Sequence, residues 1–164
     1  MRRVMVKICG VQEEEHMIAA AAEGSDYVGL VFAQSRRRVT PSQAVRLVRC
    51  LEGMPERPLV VGVFVNESVR AVNSLAEDCG LDLVQLSGDE DAEFCGRVAL
   101  PIIRTVSVCP WTTGLDVVQQ VNGLRERCPN PSLSFLLDTG AAGARGGTGE
   151  SFDWRVASFV QQHV

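Results

Sequence analysis

The chain has 164 residues, of which 46% are hydrophobic and 22% charged, and its formal net charge is -4. This is the composition of an ordinary globular polypeptide of one domain, 1–164, with Lys and Arg scattered rather than striped, which argues against a nucleic-acid surface. No run approaches the eighteen or so apolar residues of a membrane span. The six cysteines form no C-x-x-C pair and the start Met-Arg-Arg-Val lacks a signal-peptide core, so they read as reduced thiols in the cytoplasm.

Val4 to Gly10 reads as a short buried strand that delivers Cys9 to a glycine turn. Alternation puts Met5, Lys7 and Cys9 on one face and Val4, Val6 and Ile8 on the other. An ammonium in an apolar run must be paired or face a polar cavity. A lone cysteine is more often a small buried hydrophobe. Here the thiol stands at the carboxyl end of a strand, where α/β proteins place their chemistry, beside a lysine that favours thiolate.

Gln12 to Glu23 then predicts a helix with glutamates at its positive end, stopped by Gly24. Tyr27 to Phe32 is a second, almost wholly apolar strand, as expected where both faces are covered. The arginine-rich loop after it holds Arg36, Arg37 and Arg38, the one local cluster suited to a small anion. Thr40-Pro41 opens the next helix, with Thr as N-cap and Pro at the first helical position.

The alternation continues with strands at Leu59 to Val65, Leu81 to Leu86, Ile102 to Val106 and Leu133 to Leu137. The helices between them carry apolar residues at helical spacing. The sixth strand leads to Asp138-Thr139 and a glycine-rich loop, Gly140 to Gly149, before a last helix begins at Asp153-Trp154. Six βα units in strict alternation imply parallel strands with right-handed crossovers, and so either an open doubly wound sheet or a (β/α)8 barrel. Length favours the open sheet. Polar or glycine residues at every strand end favour the barrel, which collects its site from many strands.

Read in order, V-K-I-C-G, G-L-V-F with R-R-V-T-P, V-G-V-F-V-N, V-Q-L-S-G-D-E, and L-L-D-T with G-G-T-G and F-D-W resemble the motifs of phosphoribosylanthranilate isomerase of tryptophan biosynthesis. The resemblance runs from Val4 to Trp154. It implies a TIM barrel of (β/α)8 type with about six βα units in this chain, no cofactor, no metal, and a phosphosugar substrate that undergoes an Amadori rearrangement. It further implies Cys9 as general base, Asp138 as general acid, Arg37 as the residue holding the anthranilate carboxylate, and Gly147 and Thr148 in the loop that covers the substrate. Chemically, a carboxylic acid can protonate the sugar ring oxygen and a thiolate can take the C2 proton, while a guanidinium pairs with a carboxylate in two-pronged fashion.

Two departures stand out. Ser87 occupies the position where the family usually has histidine, which removes any imidazole chemistry there. Strand spacing averages about 26 residues, so eight units project to roughly 205 residues and the last two units are expected to be missing. The strand edges they would cover are then exposed apolar edges. The other readings are a non-catalytic α/β module that binds a small anion and, more weakly, an enzyme with Cys9 as nucleophile. Against the latter, the two histidines, His16 and His163, lie far from any strand end.

Overall fold

The computed structural model describes residues 3–141, 144–145 and 151–164. Strands β1 (Lys7–Cys9), β2 (Tyr27–Val31), β3 (Leu59–Phe64), β4 (Leu83–Leu86), β5 (Ile102–Val108) and β6 (Leu133–Ala141) alternate with helices α1 (Glu14–Ala22), α2 (Pro41–Arg49), α3 (Val69–Cys79), α4 (Ala92–Gly96) and α5 (Gly114–Arg127). After β6 come a two-residue strand, β7 (Ala144–Arg145), and helix α6 (Trp154–His163). All six βα units fall where periodicity places them. The antiparallel pairing of β7 with the end of β6 is an addition that pattern alone did not suggest.

Strands β1 to β6 are parallel and hydrogen-bonded in chain order. A doubly wound sheet reverses its order at a switch point; this one does not reverse, so right-handed crossovers put every connecting helix on the same side. The other side becomes the inside of a curved wall. Lys7 of β1 reaches Gln85 of β4, with Nζ 2.7 Å from Oε1. On a flat sheet those strands stand about 14 Å apart, with side chains roughly perpendicular to the plane. The sheet must therefore curl, as in part of a barrel.

The helices meet the sheet in a core that includes Met17, Val28, Leu30, Leu47, Val60, Phe64, Val72, Val84 and Ile102. A second cluster, Val106, Val108, Val117 and Val121, joins β5 to α5 and to Phe152, Val156 and Val160 at the last helix. Capping sets where the helices start. The Thr40 hydroxyl accepts from the Gln43 N–H while Gln43 returns a bond to the Thr40 N–H, and Thr113 and Asp116 do the same for α5. These boxes satisfy amide donors that the first turn leaves open.

One expectation is corrected. The opening strand is not buried: it spans three residues, Ile8 is 44% exposed, and Val4, Met5 and Val6 before it are exposed as well. The reason is position. β1 ends the strand order, with β2 as its one ladder partner among the described residues, and its outward apolar side chains border a groove with Ala19 and Ala20 of α1.

Candidate active site

The inner side of the wall opens, at the carboxyl ends of the strands, into a cavity of about 500 Å³. On β1, β4 and β5 its lining follows the period-two alternation of the strand, whereas on β6 the consecutive residues Leu136 to Thr139 all border it. β1 contributes Lys7 and Cys9, β4 Gln85 with Ser87 just beyond it, β5 Thr105 and Ser107, and β6 Leu136 and Asp138. Asp138 stands opposite Ser107 in the ladder. Cys9 and Asp138, on the first and sixth strands, thus face one space.

Cys9 is held at its sulfur and at its backbone. Lys7 Nζ lies 3.3 Å from Cys9 Sγ, and Arg37 Nη1 donates to the Cys9 carbonyl at 3.1 Å. Gly29 of β2 lies directly beneath: a Cβ there would stand 2.7 Å from Cys9 Sγ and 3.1 Å from Lys7 Nζ. A Cβ in that place would force the Cys9 sulfur to move and crowd the Lys7 ammonium, so the glycine makes room for both. Gly10 has a similar part at the turn. Its φ of +86 lies in the left-handed region, and a Cβ would approach Arg37 Cδ to 2.6 Å.

Arg37 is placed by its own loop. Its N–H donates to Ser35 Oγ at 3.1 Å, and Gln12 Nε2 donates to the carbonyls of Arg36 and Arg38 at 3.4 and 3.3 Å. All three arginines are exposed, and of them Arg37 lines the cavity. Asp138 accepts from the Thr139 N–H at 2.9 Å. The last helix has its own cap, Asp153, whose carboxylate accepts from the Arg155 N–H. Gly147 and Thr148 lie outside the described residues.

Outside the cavity lining, a buried pair organises the loops after β3 and β4. Glu90 accepts from the N–H groups of Asn66 and Gly88 at 2.7 and 2.8 Å. Arg104 of β5 stands 3.8 Å from the same carboxylate and donates to the carbonyls of Leu86, Gly88, Glu90 and Thr105 at 2.8 to 3.2 Å. This clamp fixes the segment that carries Ser87.

Sequence reasoning picked out Cys9, Lys7, Arg37 and Asp138 but passed over Gln85, Thr105 and Arg104. The signal for them was present in the same form as for Lys7: a polar residue inside an otherwise apolar strand. Among the described residues, no group of three or more His, Cys, Asp or Glu side chains is placed to hold a metal ion. No helix there is long and apolar enough to cross a membrane.

Comparison with known proteins agrees with this geometry. The family model for N-(5'phosphoribosyl)anthranilate (PRA) isomerase matches residues 6–164. The N-(5'-phosphoribosyl)anthranilate isomerase of Dehalococcoides mccartyi is 41% identical over 158 residues, 96% of this chain and 71% of that protein. The Nitrosomonas europaea enzyme of the same name is 39% identical, over 94% of this chain and 68% of its own. The crystal structure of phosphoribosyl anthranilate isomerase from Thermotoga maritima superposes with a TM-score of 0.76 at 34% identity, over 94% of this chain and 70% of that one. A structure of phosphoribosyl anthranilate isomerase in complex with reduced 1-(o-carboxyphenylamino)-1-deoxyribulose 5-phosphate superposes with a TM-score of 0.70 at 34% identity, over 84% of this chain and 66% of that one. Matched along nearly its whole length in sequence and in the course of its strands, this chain belongs to the PRA isomerase family.

Proposed function

We propose that the chain converts N-(5-phosphoribosyl)anthranilate to 1-(2-carboxyphenylamino)-1-deoxyribulose 5-phosphate, an Amadori rearrangement in tryptophan biosynthesis, with Asp138 as general acid and Cys9 as general base. The observation that carries this reading is that Cys9 and Asp138 line one cavity together with Arg37. The Asp138 carboxyl group donates a proton to the ring oxygen, the C1–O bond breaks, and the anilino nitrogen lone pair forms a C1=N bond. The Cys9 thiolate takes the C2 proton, and the electron pair of the C2–H bond becomes a C1=C2 bond as the iminium is neutralised. The resulting enol-amine loses its hydroxyl proton and gains one at C1 to become the ketone. Arg37 suits the anthranilate carboxylate, which a guanidinium can grip through two parallel hydrogen bonds. We place the enzyme in the cytoplasm, in keeping with the six free thiols of the chain.

The test is turnover of the aminoaldose by the wild type, C9S and D138N, each also prepared with two further βα units appended, since barrels of this kind bind phosphate in the loops after strands seven and eight. Turnover by the wild type and a loss of about 10²-fold or more in each variant are expected, the usual range for removing a positioned acid or base. Near-normal turnover by C9S rules out the thiol as base. A wild type inactive in both lengths rules out the isomerase assignment.

A further inference from the structure

Resting on the isomerase reading above, we propose that Gln85 is a positioning residue for the reaction: acting through Lys7, it holds the Cys9 sulfur where the C2 hydrogen is removed. A continuous hydrogen-bonded ladder crosses the inside of the wall. Lys7 Nζ donates to Gln85 Oε1 at 2.7 Å and lies 3.3 Å from Cys9 Sγ. Gln85 Nε2 donates to Ser87 Oγ at 3.0 Å, and Ser87 Oγ lies 2.9 Å from Thr105 Oγ1. Gln85 and Thr105 are buried, at 7% and 9% exposed.

The ladder joins β1 to β4, strands that share no backbone pairing. It therefore ties the base to the rigid middle of the sheet, independently of the β1–β2 ladder. This matters because β1 is three residues long with one strand neighbour among those described, and a short edge strand by itself fixes a side chain poorly.

The direction of each bond follows from its donors and acceptors. An ammonium has three donors and no acceptor, so it must meet the carbonyl end of the Gln85 amide. The amide nitrogen is then left to Ser87, where a hydroxyl can accept. A flipped amide would set N–H against ammonium. The ammonium thus selects the amide orientation, and the Ser87–Thr105 pair, able to donate or accept, anchors the other end of the amide. An unanchored lysine has four rotatable bonds and a strong preference for water; anchored, it holds its charge against sulfur. A donor at that distance fixes the direction of the sulfur's lone pairs. Gly29 supplies the slot in which both groups lie.

Ser87 fits the same account. At the position where a histidine is usual in the resemblance drawn from the sequence, this chain has a hydroxyl that completes the ladder, three removes from Cys9.

The test uses Gln85→Leu, Gln85→Glu and Lys7→Met in the full chain, with three readouts: kcat and KM, thermal melting, and peptide-resolved alkylation of Cys9 by iodoacetamide with Cys109 as the internal reference. Q85L is expected to lower kcat on the order of 10- to 100-fold, the scale of a small misplacement of a reacting group, with KM little changed. It should also slow Cys9 alkylation several-fold while Cys109 is unaffected. K7M should slow Cys9 in the same way, and serves as the second variant if Q85L melts early. Q85E keeps an acceptor for Lys7 and should retain most of both rates. Unchanged Cys9 alkylation and kcat in Q85L overturn the proposal, and so does a Q85E variant that falls as far as Q85L. Alkylation is read without turnover, so a wild type inactive in both lengths would count against the isomerase assignment alone, whereas normal Cys9 alkylation in Q85L would count against the positioning role alone.

Discussion

Replacing Arg104 by methionine removes the centre of the clamp that shapes the active-site loops. The guanidinium is 8% exposed and its partner carboxylate, Glu90, 1%. Four backbone carbonyls, on Leu86, Gly88, Glu90 and Thr105, accept from it. Hydrogen bonds from a charged donor contribute about 1.5–3 kcal/mol each, but keeping a guanidinium out of water costs several kcal/mol, so the four do not sum. Methionine fills much of the volume and relieves that desolvation, yet it leaves Glu90 buried without its cation and the carbonyls short of donors. Deleting one member of a buried pair costs about 3–5 kcal/mol, equivalent to roughly 6–20 °C in Tm for a chain of this length. Urea and thermal melts followed by circular dichroism check the value. A double-mutant cycle with Glu90→Gln isolates the coupling between the two side chains. A loss below about 1 kcal/mol, the scale of an exposed ion pair, would refute the reasoning that the clamp is dry and fully engaged.

Two further outcomes follow from features at the edges of the site and the sheet. Asp82 accepts from Arg57 Nη1 and Nη2 at 2.7 and 2.9 Å and from the Val60 N–H at 2.7 Å. Burial pushes its carboxyl up, but the Arg57 guanidinium and the Val60 N–H outweigh burial and leave it titrating below its ordinary value. A carboxyl whose folded value is depressed adds stability in full above its unfolded value and loses it as pH falls through the folded one. Because Arg57 is 36% exposed and water screens the pair, Asp82→Asn should cost about 1 kcal/mol at neutral pH. That difference from wild type should narrow below about pH 4; urea midpoints at both pH values check it, and a gap that persists in acid contradicts the assignment. Gly10→Ala places a Cβ 2.6 Å from Arg37 Cδ at a φ of +86. The variant should lose about 1–2 kcal/mol of stability and raise KM for the aminoaldose more than it lowers kcat, as steady-state kinetics would show.

The elements most legible in the sequence were those whose local chemistry and periodicity agree. Thr40-Pro41 announced α2, and Leu59 to Phe64 announced β3, because capping and apolar runs act within a few residues. Cys9 and Lys7 could be assigned to one face of β1 by alternation alone. Arg37 and Asp138 were singled out by motif, and the structure brings both to the cavity wall with Cys9. By contrast, Arg104 read as one more polar residue near a strand. Its meaning depends on carbonyls from the β4–α4 segment folding around it, which no local pattern encodes. The exposure of β1 was misread for a related reason: its apolar composition is that of an inner strand, and its place in the strand order sets how much of it is covered.

What the sequence by itself determined is therefore the alternation of strand and helix and the identity of the groups that can move protons or grip a carboxylate. Those depend on side-chain chemistry and on contacts a few residues apart. Strand order and curvature were decided by tertiary structure. In chain-order pairing the first strand lies several places from the fourth and the sixth, and only a curled sheet lets Lys7 meet Gln85 and lets Cys9 face the same space as Asp138. Such contacts form when helices packed on one side bend the sheet toward the other, an effect of the whole assembly that no single segment carries.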